Sequence, residues 1–201
     1  MLEGGDGAGK TTQLSRLAAW LRDAGHDVVV TFEPGDTGVG QSIRRLVLDP
    51  ASGDIAPRAE ALLYAADKAQ HVAEVVRPAL ERGAVVVCDR YVDSMVAYQG
   101  AGRVRDSGEV HRLAVWATGG LSPDLTVLLD VAVAEGVGEK TDLDRVEAAG
   151  AAFHQRVREH FLALAAAAPE RYLVLDGRDD RDGIEAAIRA RVEGLLPVEG
   201  G

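Results

Sequence analysis

The sequence predicts an α/β fold in which helices pack on both faces of a parallel β-sheet. Three observations predict it. Short runs of β-branched and aliphatic residues alternate with long segments of helical spacing. The runs are apolar throughout, as in strands that are buried on both faces, and a glycine-rich loop leads into the first helix. Because the 201 residues contain no internal repeat or low-complexity linker, we expect one domain over residues 1–201.

The first strand is predicted to be short. Only Met1, Leu2 and Glu3 precede the glycine-rich loop, whereas a strand usually has about 5–6 residues. We therefore expect an N-terminus that is truncated or whose start is misassigned.

The later elements are predicted from hydrophobic spacing. Leu14, Leu17, Ala18 and Leu21 recur at helical intervals, and Gly25 is typical of a helix end. Strands are predicted for residues 28–31, 84–88, 125–129 and 172–175. Longer helical segments are predicted for residues 58–81, 147–168 and 183–196.

A phosphate-binding loop is predicted between the first strand and the first helix. The pattern G-x-x-x-x-G-K-[ST] is met within the loop residues Gly4, Gly5, Asp6, Gly7, Ala8, Gly9, Lys10, Thr11 and Thr12. Its glycines let backbone N–H groups converge on an anion, and the following helix adds its positive N-terminal end. Lys10 would reach the β- and γ-phosphates of a nucleotide, and the Thr11 hydroxyl would take a place on Mg²⁺. An ordinary glycine-rich turn is the alternative, which the strand–loop–helix context disfavours.

Composition excludes several function classes. The formal net charge of −10 argues against general binding to nucleic acid or to anionic membranes, which requires basic surface. No apolar run approaches the roughly 20 residues of a membrane span, and no signal peptide is visible. The single cysteine, Cys88, cannot form an intrachain disulfide, which fits a reducing cytoplasm. The histidines lack ligand spacing, so no zinc site is expected.

Polar residues that follow two predicted strands indicate the rest of the site. Ligands of open parallel sheets bind at the carboxyl ends of the strands, so Glu33, Asp89 and Arg90 should face the phosphate loop. Asp89 suits a water-mediated contact to Mg²⁺ or a place on the nucleophile side. The forked, permanently charged Arg90 suits a bridge between donor and acceptor phosphates. A structural ion pair at the strand end is the alternative for Asp89 and Arg90.

Aromatic and amide side chains suggest a binding site for a base. Tyr64 and Tyr98 stand near polar residues in a chain with few aromatics, and Ser94 and Gln99 lie beside Tyr98 in sequence. Rings stack on bases, and hydroxyl and amide groups can contact their edges. Core packing is the alternative for each ring.

These segments, taken in order, resemble thymidylate kinases (dTMP kinases) of the bacterial type. The resemblance runs from about Leu2 to about Leu196 and rests on residues 33–37, 64–71, 89–100, 123–130 and 143–147. It implies the P-loop nucleoside monophosphate kinase fold and the reaction ATP + dTMP → ADP + dTDP with Mg²⁺. It also implies a cytoplasmic homodimer.

The resemblance assigns a role to individual residues. Residues 4–12 and Arg145 would bind ATP, and Thr11 and Asp89 would contribute to the binding of Mg²⁺. Asp6 would contact the deoxyribose 3′-hydroxyl, Arg44 and Arg90 the phosphates, and Tyr64 would stack on thymine. The other residues of the acceptor site would be Glu33, Lys68, Ser94, Tyr98 and Gln99. The pair Asp176 and Gly177 resembles the loop beside the adenine.

Three departures from the family pattern bear on function. Phe32 and Lys68 each replace an arginine, and a lysine offers a point charge where arginine offers a fork. The segment of about residues 134–146 is predicted to be a lid that excludes water, yet among 131–141 only Lys140 is basic, so Arg145 would partly substitute. The departures leave open a kinase for another or a modified deoxynucleoside monophosphate, or a catalytically weak nucleotide-binding homologue.

Overall fold

Five parallel strands form one sheet in the order β2-β3-β1-β4-β5 in the computed structural model, which describes residues 1–104, 106–133 and 143–196. The strands are β1 (Leu2–Gly4), β2 (Val28–Phe32), β3 (Val85–Asp89), β4 (Thr126–Asp130) and β5 (Tyr172–Asp176). The predicted fold class is confirmed, and each of the four predicted strands begins and ends within one residue of its prediction. Strand β1 has three residues, so it is as short as expected.

Helices connect the strands. They are α1 (Lys10–Asp23), α2 (Gly38–Leu48), α3 (Pro57–His71), α4 (Arg77–Glu81), α5 (Val92–Met95), α6 (Ser107–Thr118), α7 (Ala151–Ala167) and α8 (Arg181–Glu193). A π-helical turn at Val72–Val76 joins α3 to α4, so the predicted helical segment 58–81 consists of these three pieces. A longer π-helical stretch, Val96–Val104, follows α5. No helix among the described residues combines the length and apolarity needed to cross a membrane.

Local chemistry sets the ends of the first helix. Helix α1 starts after Gly9, whose φ of 91° is one that residues with a side chain rarely adopt. At the other end, Gly25 has a φ of 90°, and the N–H of His26 donates to the carbonyl of Leu21. This closing turn is typical of glycine-ended helices, so the predicted stop at Gly25 is confirmed.

Both faces of the sheet are buried at its centre, as the apolar strands predict, whereas Val30, Phe32 and Val174 on the edge strands β2 and β5 are exposed. Successive side chains of β4 point to opposite faces. Val127 and Leu129 join the core under α1 and α8, whereas Leu128 packs with Phe153 and Phe161 of α7. Side chains of helices α2, α3 and α6 form a third hydrophobic cluster.

The position of β1 in the sheet places the phosphate loop. Strand β1 lies between β3 and β4, at the point where the strand order reverses direction. Ligands of open parallel sheets bind at such a point. Leu2 is in register with Asp89, and the N–H of Arg90 donates to the Leu2 carbonyl at 3.0 Å. A side chain at Gly4 would place its Cβ 2.3 Å from the Leu129 carbonyl oxygen, so only glycine fits where the loop leaves the sheet.

Candidate active site

The phosphate loop holds a buried ammonium group in place. Lys10 Nζ donates to the carbonyl oxygens of Gly4, at 3.0 Å, and of Gly5, at 2.8 Å. Its side chain lies beneath the loop, and burial lowers the pKa of Lys10 to about 8. Gly7 and Gly9 both have positive φ values, which curl the loop around this amine. The ammonium is therefore already placed where an incoming phosphate could exchange for the two carbonyls.

Arg90 connects the phosphate loop to the residues after β3. Its Nη2 donates to Asp6 Oδ1 at 2.5 Å, its Nη1 donates to Ser94 Oγ at 3.1 Å, and the guanidinium lies 5.3 Å from the centre of the Tyr98 ring. Burial alone would raise the pKa of Asp6, but the charges of Arg90 and Lys10 outweigh it and hold that pKa below its usual value. Arg90 therefore contacts both the phosphate loop and α5, and its bridge between two phosphates stays a prediction.

One pocket gathers the predicted acceptor site. All nine residues predicted to bind the acceptor line it: Asp6, Glu33, Arg44, Tyr64, Lys68, Arg90, Ser94, Tyr98 and Gln99. They come from the phosphate loop, the β2–α2 segment, α2, α3 and the stretch that runs from the end of β3 through α5 into the π-helical residues after it. A second pocket runs along the phosphate loop, the end of β4 and α7. Asp6 and Tyr98 line both pockets, so the two compartments adjoin.

Phe32, which replaces an arginine of the family pattern, supports Arg44. The Arg44 guanidinium lies 5.8 Å from the centre of the Phe32 ring, and its Nη1 donates to the Pro34 carbonyl at 2.7 Å. A cation held over an aromatic ring keeps its charge while gaining packing. The substitution therefore leaves Arg44 positioned at the mouth of the pocket.

Lys68 is neutralised by Glu33 at the base of the pocket. Both side chains are almost completely buried, and Lys68 Nζ donates to Glu33 Oε2. A buried charge is tolerated when it is paired and hydrogen-bonded. The ammonium has three N–H donors, so the bond to Glu33 leaves donors for a ligand.

His71 extends this pair into the protein. Its Nδ1 lies 2.7 Å from Glu33 Oε1, and its Nε2 lies 2.6 Å from Thr31 Oγ1. The Thr31 hydroxyl also donates to Asp36, so His71 connects Glu33 to the end of β2. The buried ring thereby holds Glu33, which in turn fixes Lys68.

Asp67 adds a second buried carboxyl to this region. Its Oδ1 accepts the N–H of Gly35 at 3.0 Å, whereas its buried Oδ2 has no partner among the residues described. Burial, with the nearby charge of Glu33, raises the pKa of Asp67 to about 6. Asp67 holds the turn after β2 that carries the carbonyl bound by Arg44.

Glu3 fixes the turn that carries Arg90. It is fully buried; Oε1 accepts the N–H groups of Tyr91 at 2.8 Å and Ser94 at 3.2 Å, and Oε2 accepts the Ser94 hydroxyl at 2.6 Å. Burial, with the neighbouring charge of Asp93, raises the pKa of Glu3 to about 6. The last side chain before the loop thus ties β1 to the start of α5.

This burial predicts a pH-dependent stability. The carboxyl of Glu3 binds its proton more tightly in the folded chain, with a pKa of about 6 against 4.5 unfolded. Its stabilising contribution is complete below pH 4.5 and is lost as the pH rises through 6, a change of about 2 kcal/mol. Glutamine at position 3 does not titrate. We therefore expect the free energy of unfolding of Glu3→Gln, measured with urea, to rise by about 2 kcal/mol relative to that of wild type between pH 4 and pH 7. The exposed Glu81→Gln is the control, and an equal difference at both pH values for Glu3→Gln would contradict the buried carboxyl.

Asp89 and Thr11 offer oxygen ligands to a cation beside the loop. The buried Oδ1 of Asp89 has no hydrogen-bond partner in the described part of the chain, and Thr11 is exposed on the first turn of α1. Hard oxygen ligands, with nucleotide phosphates and water completing the shell, suit Mg²⁺. Within residues 1–104, 106–133 and 143–196, no cluster of three or more His, Cys, Asp or Glu side chains is arranged to hold a metal.

Gly177 lies against the phosphate loop, and its place beside the adenine stays a prediction. A Cβ there would lie 3.0 Å from the Ala8 carbonyl oxygen and 2.6 Å from a Val131 methyl group. The chain after β5 therefore passes close to the loop only because this residue has no side chain.

Arg145 is bonded to residues at and after the end of α2 and to α3. Its guanidinium donates to the carbonyls of Val47, at 2.8 Å, and Gly53, at 2.9 Å, and to Glu60 at 3.1 Å. It is thereby held against the end of α2, and its predicted contact with ATP stays a prediction. The predicted lid lies largely outside the described residues, which resume at Leu143.

Sequence reasoning missed several residues that shape the pocket. Glu3, Glu60, Asp67 and His71 received no role, yet each is buried and bonded to a pocket element. A signal for three of them was available, because Glu60, Tyr64, Asp67 and His71 follow one another at three- and four-residue steps. Polar residues at this spacing occupy one face of a helix, and that face of α3 is buried.

Comparisons with known proteins show the family of this chain. A family model for thymidylate kinase matches residues 2–188. The chain belongs to the thymidylate kinase family. The thymidylate kinase of Cutibacterium acnes is 64% identical over 98% of this chain and 96% of its own length. That of Deinococcus radiodurans is 54% identical over 95% of this chain and 94% of its own.

A solved thymidylate kinase has the same architecture. The crystal structure of the Ehrlichia chaffeensis thymidylate kinase superposes with a TM-score of 0.78 at 29% identity, covering 96% of each chain. The predicted P-loop nucleoside monophosphate kinase fold is therefore confirmed, as is the family resemblance.

Proposed function

We propose that this thymidylate kinase homologue transfers the γ-phosphoryl group of ATP to dTMP and forms ADP and dTDP. The observation that carries the proposal is the Asp6–Arg90 contact, at 2.5 Å, which joins the phosphate loop to the pocket lined by the nine acceptor residues. A site that binds one nucleotide would not need a second pocket sharing its phosphate loop.

The geometry supports transfer by positioning and charge. An oxygen of the dTMP phosphate attacks the γ-phosphorus, a new P–O bond forms, and the bond to ADP breaks. No general base is needed, because that oxygen is already ionised at neutral pH. Lys10 would hold the donor phosphates, Arg44 the acceptor phosphate, and Arg90 the group between them. Thr11 and Asp89 would hold Mg²⁺, which neutralises charge on the phosphates.

The alternatives derived from the sequence gain no support from relatives. The Lys68 substitution motivates a different acceptor, but Lys68 is paired with Glu33 and keeps donors toward the pocket. The relatives described above are thymidylate kinases that align with this chain over nearly their whole length.

A coupled assay with ATP and a panel of deoxynucleoside monophosphates tests the function. We expect the highest kcat/KM with dTMP. A preference for another monophosphate would favour the alternative acceptor, and absence of turnover despite ATP binding would favour the catalytically weak homologue.

We also propose that the protein is a cytoplasmic homodimer. Apolar side chains stand exposed on three neighbouring helices: Leu46 on α2, Leu62 on α3, and Val115 and Trp116 on α6, with Trp116 exposed to 79%. Exposed apolar patches of this kind mark interaction surfaces, and a second copy of the chain offers the same patch. The lone, buried thiol of Cys88 fits a reducing compartment.

Trp116→Glu is expected to convert the dimer to a monomer, because it replaces the most exposed apolar side chain of this face with a charge. Sedimentation equilibrium measures the change. The control is Leu195→Glu, which alters a half-exposed leucine after α8, a helix that packs on α1 and not on α2, α3 or α6. A dimer that withstands Trp116→Glu, or a monomeric wild type at micromolar concentration, would contradict the proposed interface.

A further inference from the structure

Glu60, on α3, is a buried carboxylate that joins three segments of the acceptor site. It is 1% exposed. Its Oε2 accepts from Arg145 Nη1 at 3.1 Å, and its Oε1 accepts from Gln99 Nε2 at 3.2 Å. Arg103 Nε lies 3.5 Å from the same Oε1. Two guanidinium groups therefore face this side chain, and a carboxylate accepts hydrogen bonds.

This acceptor determines which way the Gln99 amide faces. An amide has a donor end and an acceptor end, and only the Nε2 end can face a carboxylate. Gln99 Oε1 then lies at the other end of the group. Among the residues that the structure describes, Oε1 has no hydrogen-bond partner, and Gln99 lines the acceptor pocket.

We propose that Glu60 is a positioning residue that turns the Gln99 amide oxygen toward the base and thereby selects a pyrimidine that carries a proton on N3. The proposal rests on the proposed function, because it takes the pocket as the site of dTMP. Glu60 does not reach the pocket itself; it acts only through Gln99.

The chemistry of the two pyrimidine edges gives this orientation its effect. Thymine presents an N3–H donor and an O4 acceptor, whereas cytosine presents an N3 acceptor and a 4-amino donor. Gln99 Oε1 accepts, and Lys68 Nζ donates, so the pair matches thymine and opposes cytosine at both positions. A buried acceptor that faces another acceptor, or a donor that faces another donor, loses binding free energy. Hydrogen-bonding pockets reject ligands of nearly the same shape in this way.

Glu60→Gln tests the proposal with little change in shape. A glutamine at position 60 can present either N–H or C=O to Gln99, so the Gln99 amide is free to turn. We expect the ratio of kcat/KM for dTMP to that for dCMP to fall about tenfold, through a higher KM for dTMP and faster turnover of dCMP. The matched control is Arg103→Gln, which removes a cation beside Glu60 but leaves the bond to Gln99; its ratio should equal that of wild type.

Further variants separate this role from a structural one. In a Gln99→Met background, Glu60→Gln should leave the ratio unchanged, because the amide it orients is gone. Glu60→Asp keeps an acceptor and should retain most of the discrimination. Equal losses for dTMP and dCMP in Glu60→Gln, or a changed ratio in the Gln99→Met background, would overturn the proposal.

Two measurements decide the matter even if Glu60→Gln does not fold. Gln99→Met alone must lower the dTMP to dCMP ratio, and an unchanged ratio would overturn the proposal. The wild-type protein is assayed first: no turnover of dTMP there would refute the proposed function, whereas turnover with unselective variants would refute only the role of Glu60.

Discussion

Lys10→Ala is expected to lower kcat for phosphoryl transfer by about a thousandfold. The ammonium is placed beneath the loop by the carbonyls of Gly4 and Gly5, and phosphate oxygens would exchange for these partners. A charge that is preorganised in a buried site stabilises developing negative charge without reorganisation. No other ammonium among the residues that define the loop can replace it.

The same variant is expected to remain folded. Because burial lowers the pKa of Lys10 to about 8, the folded chain holds the charged amine at a cost, and its removal relieves that cost. Lys10→Met, which keeps the volume and loses the charge, is the matched control. Both variants should melt near the wild-type temperature by circular dichroism and be inactive in the coupled assay. Near wild-type activity of Lys10→Ala would contradict the phosphate-binding loop.

Arg90→Ala is expected to reduce kcat/KM by roughly 10³–10⁵, the range reported for an arginine placed on a transferring phosphoryl group. Arg90 is the one residue among the nine of the acceptor pocket whose side chain also contacts the phosphate loop through Asp6. Its loss would remove the charge between the two phosphates and free the carboxylate of Asp6. Arg90→Lys keeps the charge but not the fork, so it should recover only part of the activity.

Stability measurements separate this role from a structural one. Arg90 has a φ of 66°, a conformation that is costly for a residue with a side chain and natural for glycine. Arg90→Gly relieves this strain, so we expect it to be more stable than Arg90→Ala in urea while it is equally inactive. If Arg90→Ala loses activity only in proportion to its loss of folded protein, the residue is structural.

Much of the fold could be predicted because its signals are local. The four later strands are runs of β-branched and aliphatic residues whose pattern needs no partner to be recognised, and each prediction fell within one residue of its strand. The phosphate loop is equally local: Gly4, Gly7 and Gly9 hold backbone conformations or approaches that a side chain would obstruct. Strand polarity then placed Glu33, Asp89 and Arg90 at one edge.

The resemblance to thymidylate kinases carried the acceptor residues, and the pocket gathers all nine. It did not reveal what holds them. Glu33 was predicted to lie near the acceptor, but its bonds to Lys68 and His71 follow from how β2 packs on α3. Arg145 is predicted at ATP, and its bonds to the carbonyls at the end of α2 follow from the packing of the segment after the lid, which no local pattern indicates.

The sequence by itself therefore determined the sheet, the phosphate loop and the residue types of the site, since these depend on covalent geometry and short-range spacing. Only the tertiary structure decided which side chains orient others. Glu3 binds Ser94 from 91 residues away, and Glu60 binds Gln99 from 39 residues away. The physical reason is that a buried carboxylate must find its donors wherever packing brings them, and no local pattern in the chain specifies that distance.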